Sequence, residues 1–192
     1  MIVITLSQLK NITLNCHKCS LAQTRTNVVF GIGNPNAKIL FVGEGPGQNE
    51  DLTGIPFVGR GGQLLDKMLS EINLSREKNI YIANMVKCRP PNNRDPLPEE
   101  IDCCIDYLRL QFSLIKPKII VCVGRIAAMR IIKSDFKVTR EHGIWFCKKN
   151  VHIMGTFHPA ALLRNPNNLP YAQADFKNLQ KKILEVAPQI YD

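Results

Sequence analysis

The sequence predicts an α/β fold in which a parallel four-stranded sheet is covered by helices on both faces. Four short runs rich in Ile and Val carry that prediction, at residues 38–42, 79–83, 118–123 and 151–156, together with the helical patterns that separate them. Strands alternating with helices pair in parallel, because each crossover helix returns the chain to the edge where the strand began. A third observation concerns where the unusual residues fall. GEGPGQNED follows the first run, NMVKCRPPNNR the second and FHPAALLR the fourth. Open parallel sheets bind ligands in the loops beyond their strand C-terminal ends, so these three turns are the candidate site.

Each element has its own warrant. After the first strand, residues 63–72 (QLLDKMLSEI) place Leu64, Leu65, Met68, Leu69 and Ile72 on one helical face. Residues 98–115 open with Pro98, Glu99 and Glu100. Proline is tolerated at a first helical position, and acids there suit the positive end of the helix dipole. The third strand runs through Gly124 into a helix at 125–132, and a last helix spans 172–186. The Cys-containing N-terminal segment lies outside this repeat and is expected to pack on one side of a single domain covering residues 1–192.

Composition narrows the function classes. The 192 residues are 45% hydrophobic and 21% charged, which is globular rather than disordered. The apolar runs are too short to span a bilayer. The start MIVITLSQLK has neither a basic lead nor a small-residue cleavage pattern, so no signal peptide, no membrane association and a cytoplasmic setting are expected. Net charge is +9, and residues 116–192 carry 13 basic against 5 acidic groups. A basic half is what a polyanionic partner would need, because neutralising phosphates releases counterions; a merely soluble basic surface reads the same way.

Seven cysteines without a secretory signal argue against a disulfide framework. Cys16 and Cys19 form a C-x2-C pair, Cys88 follows the second strand, and Cys104 lies early in the next helix. Four soft thiolates suit either an iron–sulfur cluster or a structural zinc, and spacing alone does not choose. Cys103 competes with Cys104, but helical neighbours point about 100° apart, so one of the two should face the centre. Cys122, inside an apolar strand, and Cys147, after Trp145 and Phe146, read as small buried hydrophobes.

GEGPG lacks the G-K-[ST] ending of a nucleotide P-loop and is not G-x-G-x-x-G. Its glycines permit close ligand approach, and Glu44 and Glu50 flank it. His17, His142 and His152 read as structural or solvated. His158 differs, because it follows the last strand, precedes Pro159 and is trailed by Leu162, Leu163 and Arg164, read as exposed. Those residues could cap a helix or wedge into a DNA duplex.

Taken in order, GEGPGxxED, GIPFVGRGGQLLDKML, NMVKCRPPNNRDPLPEEI with Cys104, and HPAALLR resemble the family 4 uracil-DNA glycosylases, from about Cys16 to the C-terminal helix. The resemblance implies a three-layer α/β/α sandwich with a central four-stranded parallel sheet. It implies hydrolysis of the N-glycosidic bond of deoxyuridine in single- or double-stranded DNA by a monomer. It also implies a structural [4Fe–4S] cluster on Cys16, Cys19, Cys88 and Cys104. Gln48 and Asn49 stand where the family is acidic, Gly61 where Ala is common, and Leu97 where a capping Ser or Thr is usual.

Carried over residue by residue, the resemblance makes Phe57 the stacking platform for a flipped base and Asn84 the reader of uracil N3–H and O4. Glu50 is then the group crowding the C5 side, and His158, with backbone N–H groups near Gly45, the donor to uracil O2. Glu44 is the acid that orients water or stabilises the sugar cation. Leu162, Leu163 and Arg164 contact DNA. A second reading keeps the cluster and the basic face but makes the chain a catalytically silent DNA-binding module; a third has the four cysteines holding zinc in a structural protein.

Overall fold

The computed structural model describes residues 4–191; residues 1–3 and 192, which the single-domain reading includes, lie outside the described residues. The elements run α1 (Leu6–Leu14), β1 (Ile32–Gly33), β2 (Ile39–Gly43), α2 (Gln48–Thr53), α3 (Arg60–Ser70) and β3 (Ile80–Asn84), then α4 (Pro98–Ile115), β4 (Ile119–Val123), α5 (Arg125–Ile131) and α6 (Val138–Glu141), and finally β5 (Trp145–Lys148), β6 (Val151–Thr156), α7 (Pro159–Arg164) and α8 (Leu169–Val186).

The sheet has six strands in the order β1-β3-β2-β4-β6-β5. Its four central strands are the four expected ones, and they pair in parallel, with Ile39 opposite both Ile80 and Ile119, and Val121 opposite Met154. The expectation missed the edges, where two short strands pair antiparallel: Ile32 with Ile82, and Trp145 with Met154. Neither edge has an Ile/Val run, so neither announces itself. The β5–β6 hairpin turns on Lys149 and Asn150, both left-handed at φ 49 and 63, the pattern of a two-residue hairpin turn.

Strand side chains alternate between two cores. Ile39, Phe41, Ile80, Ile82, Ile119 and Val121 meet α3 and α8 through Leu65, Met68, Phe176 and Leu179. Leu40, Val42, Ala83 and Cys122 face the opposite way, toward Leu9 of α1, Ile101 and Leu108 of α4, and Ala127 and Ala128 of α5. The result is a three-layer α/β/α sandwich. The cysteine-bearing segment packs on the α4 side, where Leu21, Cys88, Cys104 and Tyr107 share its core. Helix α4 lacks a hydroxyl cap, yet Glu100 reaches back to accept from the Leu97 N–H at 2.8 Å, which satisfies one of the orphan donors of that end.

Two expectations fail here. Leu162 is 2% exposed and joins the α3–α8 core, so it is not a DNA-facing residue; Leu163, at 46%, and Arg164 are exposed. On this six-residue helix, which packs against α3, adjacent leucines point about 100° apart, so one faces the core and the other meets water. Cys147 is exposed on the edge strand β5 and is not a buried hydrophobe, whereas Cys122 is fully buried as expected. Among the described residues no helix is long and apolar enough to cross a membrane.

Candidate active site and cysteine cavity

The ends of β2, β3 and β6 bring three of the expected residues together: Phe57, Asn84 and His158. Gly43 closes β2 and lies opposite Asn84, which closes β3. A Cβ built on Gly43 would stand 2.4 Å from Asn84 Oδ1 and 2.6 Å from the Phe57 ring. Glycine at this position therefore lets the carboxamide and the aromatic ring meet over the strand end. The Phe57 ring in turn stacks with the His158 imidazole, centroids 5.7 Å apart and planes at 30°. Asn84 is 1% exposed, and its Oδ1 has no hydrogen-bond partner among the described residues. A buried acceptor left open costs stability, and such atoms mark sites where a ligand supplies the missing donor.

His158 caps α7. Its Nδ1 accepts from the Ala160 N–H at 3.2 Å, which leaves Nε2 as the protonated nitrogen of a neutral ring. Burial, with Arg164 nearby, lowers its pKa to about 4, so the imidazole is a neutral donor at physiological pH. Gly124, at φ 93, makes room for it: a Cβ there would lie 3.0 Å from that of His158.

Glu44 follows Gly43 directly. Burial and the neighbouring Asp95 raise its carboxyl to about 7, while Arg125, which pairs with Asp95, pulls the other way. Gly45 backs onto Val86, whose methyl would lie 2.7 Å from a Cβ there, so a side chain at this position would have to displace Val86.

Glu50 is committed to backbone. One carboxylate oxygen accepts from the Val58 and Gly59 N–H groups, both at 2.9 Å, and the other from Gly47 N–H at 3.1 Å. It ties the GEGPG turn to the loop that carries Phe57. That residue has φ 54, a left-handed conformation that costs a non-glycine residue roughly 1–2 kcal/mol.

On the far side of β3, Cys16, Cys19, Cys88 and Cys104 line one cavity, bordered also by Cys103, Arg25, Lys87 and Tyr107. None of the cysteines among the described residues is in a disulfide. Cys103 thus lies at the cavity as well, and side-chain direction does not set it aside as expected. No three His, Cys, Asp or Glu side chains among the described residues gather closely enough to hold a single metal ion. Burial pushes Cys104 up to about 11 and raises Cys19 and Cys88, while the Lys87 charge opposes the rise at Cys104 and Arg25 opposes it at Cys88. Arg25 and the Lys87 N–H donate to the sulfurs of Cys88 and Cys104, each at 3.3 Å.

Sequence reasoning missed Lys87. It is 1% exposed, and its ammonium donates to the Asn84 carbonyl at 2.9 Å and to Gln111 Oε1 at 2.7 Å. It joins the strand end that carries the carboxamide to the wall of the cysteine cavity. A lysine inside NMVKC gives no sign of this, because lysine is ordinarily exposed. The remaining histidines behave as expected; His142, for example, is hydrogen-bonded to Asp175 at 2.8 Å.

The chain matches the family described as the uracil DNA glycosylase superfamily over residues 30–186. It is similar to the Type-4 uracil-DNA glycosylase of Archaeoglobus fulgidus, 44% identical over 93% of this chain and 94% of that protein. It is 43% identical to the Type-4 uracil-DNA glycosylase of Sulfurisphaera tokodaii over 97% and 88% of the two chains. The Type-4 uracil-DNA glycosylase of Thermotoga maritima is 47% identical over 80% of each.

Proposed function

The chain belongs to the uracil DNA glycosylase superfamily, and on that premise we propose that it hydrolyses the N-glycosidic bond of deoxyuridine in DNA, releasing uracil and leaving an abasic site. The observation that carries this reading is the open, buried Oδ1 of Asn84 beside the Phe57 ring. A flipped uracil would stack on that ring, donate N3–H to Oδ1 and accept at O4 from the amide. Cytosine offers an acceptor at N3 and a donor at N4, so both contacts would fail; a site that leaves buried groups unpaired discriminates by ~10⁴ or more.

Cleavage moves the bonding pair onto uracil N1 and leaves the sugar C1′ electron-poor. The neutral Nε2–H of His158 stabilises the charge that spreads to uracil O2, as a preorganised donor does for an oxyanion. The Glu44 carboxylate, ionised above about 7, orients the water that adds to C1′ and takes up its proton. Glu50 acts at one remove: it holds the loop of Phe57 and sets the wall against which a C5 methyl would press. Leu163, exposed next to Arg164, is the residue placed to fill the gap left in a duplex. The basic C-terminal half supports binding of the phosphate backbone, by a monomer in this reading.

Cys16, Cys19, Cys88 and Cys104 would hold a [4Fe–4S] cluster. The four cysteines line one cavity, and four thiolates are the donor set such a cluster requires. When bound, the cluster would cross-link the N-terminal segment, the loop after β3 and helix α4. A reducing, cytoplasmic setting belongs to the same reading.

Incubation with a uracil-containing single-stranded oligonucleotide, followed by alkaline cleavage at abasic sites, tests the activity. Strand breakage at the uracil position is expected; an intact oligonucleotide would leave the silent DNA-binding module as the better reading.

A further inference from the structure

We propose that Arg76 is a positioning residue of the base slot, holding Phe57 in the backbone conformation that turns its ring toward Asn84 and His158; the inference rests on the uracil-binding reading above. Arg76 lies in the turn between α3 and β3, in a stretch (Ser75, Arg76, Glu77, Lys78) that reads as solvent-facing, yet it is 8% exposed. Its guanidinium makes four hydrogen bonds. Nη1 donates to the Pro56 carbonyl and Nη2 to the Phe57 carbonyl, both at 2.5 Å, while Nε and Nη2 reach Asp66 at 2.7 and 3.1 Å.

The two carbonyls belong to the two peptide planes that flank the Phe57 Cα. The relative orientation of those planes is the φ and ψ of Phe57. One guanidinium gripping both therefore sets the backbone conformation of the residue directly. The plane after Phe57 is held from its other side too, because its N–H, on Val58, donates to Glu50 at 2.9 Å. Helix α3 closes the remaining direction: a Cβ on Gly62 would stand 1.8 Å from the Phe57 oxygen. A left-handed phenylalanine persists only where its surroundings over-determine it, and Arg76, Glu50 and Gly62 are those surroundings. A planar fork with five donors can serve two carbonyls and a carboxylate at once, which a single ammonium cannot. Asp66, with its side chain 49% exposed, balances the charge and orients the fork.

The test uses free uracil as a competitor of excision from a uracil-containing single-stranded oligonucleotide, with binding to the same oligonucleotide lacking uracil measured alongside. In Arg76→Met the inhibition constant for free uracil should rise at least about tenfold, since a displacement near 1 Å in a positioned group has effects of that size or larger. Affinity for the uracil-free oligonucleotide should stay unchanged. Arg76→Lys, which keeps the charge but not the fork, should give a smaller rise. A purely structural arginine would lower the melting temperature and leave uracil inhibition where it was; that result in a folded Arg76→Met overturns the proposal. Should Arg76→Met not fold, unchanged inhibition in Arg76→Lys overturns it equally. Wild-type protein that neither excises uracil nor is inhibited by it would instead sink the uracil-binding reading.

Discussion

The imidazole of His158 stacks on the ring of Phe57 at 5.7 Å between centroids, although one residue caps the helix after β6 and the other rides the loop between α2 and α3. Because Glu50 ties that loop to the turn after β2, the contact joins two of the three turns in one slot. The opposition of Gly43 and Asn84 joins the third. In the proposed reaction, the donor for the developing anion and the platform for the base thus sit side by side before substrate arrives, so little reorganisation would be left for the reaction itself.

His158→Ala should lower uracil excision by about 10²–10³-fold, the usual cost of removing one preorganised donor. Far-UV circular dichroism and thermal melting should stay near wild type, because the side chain caps only a six-residue helix. Asn84→Ala should likewise remove excision while leaving the fold intact. Single-turnover rates on a uracil-containing single strand check both, and wild-type rates in both variants would remove their assigned roles.

The acid limb of the pH profile should belong to Glu44. Its carboxyl is raised to about 7, so it is protonated below and ionised above; a role that needs the carboxylate makes the rate climb about tenfold per pH unit up to that point and level off beyond it. His158, lowered to about 4, stays neutral throughout this range and adds no limb. In Glu44→Gln the remaining slow rate should be flat across the same range. A limb near 7 surviving in that variant would reassign the titrating group.

The same two values separate activity from stability. A histidine neutral in the fold with a depressed pKa contributes stability that is complete above its unfolded value of about 6.5 and is lost as pH falls toward 4. Glu44, raised to about 7, gains stability as pH falls over the same window and opposes this loss, so the His158 contribution is read by difference: relative to neutral pH, the melting temperature at acid pH should be less reduced, or more raised, in His158→Ala than in wild type.

Leu162 and Leu163 should part company. Leu162→Ala empties a core position at 2% exposure and should destabilise the fold by about 2–5 kcal/mol. Leu163→Ala should leave melting unchanged and slow excision from duplex DNA more than from single strands. Equal losses on both substrates would argue against insertion into the duplex.

Anaerobically prepared protein should contain about four iron and four sulfide per chain. Cys104→Ser should reduce that content sharply. Cys103→Ser should not, because Cys103, half-buried at the cavity, is outside the proposed ligand set. One zinc per chain and no sulfide would sink the cluster.

Hydrophobic periodicity made the four parallel strands and the long helices legible. Val151–Thr156 and Pro98–Ile115 fall at the expected bounds, and the other three strands within a residue or so. The edge strands β1 and β5 were not legible, because two to four residues without β-branched runs become strands only when a neighbour offers unpaired backbone. The motifs also pointed to three turns that the fold brings together, since a strand-end loop must lie at the C-terminal edge of a parallel sheet.

What the sequence determined by itself was the class of fold, the three candidate turns and the family they resemble, because these are set by local pattern and motif order. What the tertiary structure alone decided was the working of each side chain: Glu50 spent on backbone N–H groups, Asn84 left open, Leu162 turned inward, Arg76 and Lys87 buried as anchors. Those outcomes depend on which atoms meet across distant segments and on how much water is excluded there. Neither quantity is written in the spacing of residues along the chain.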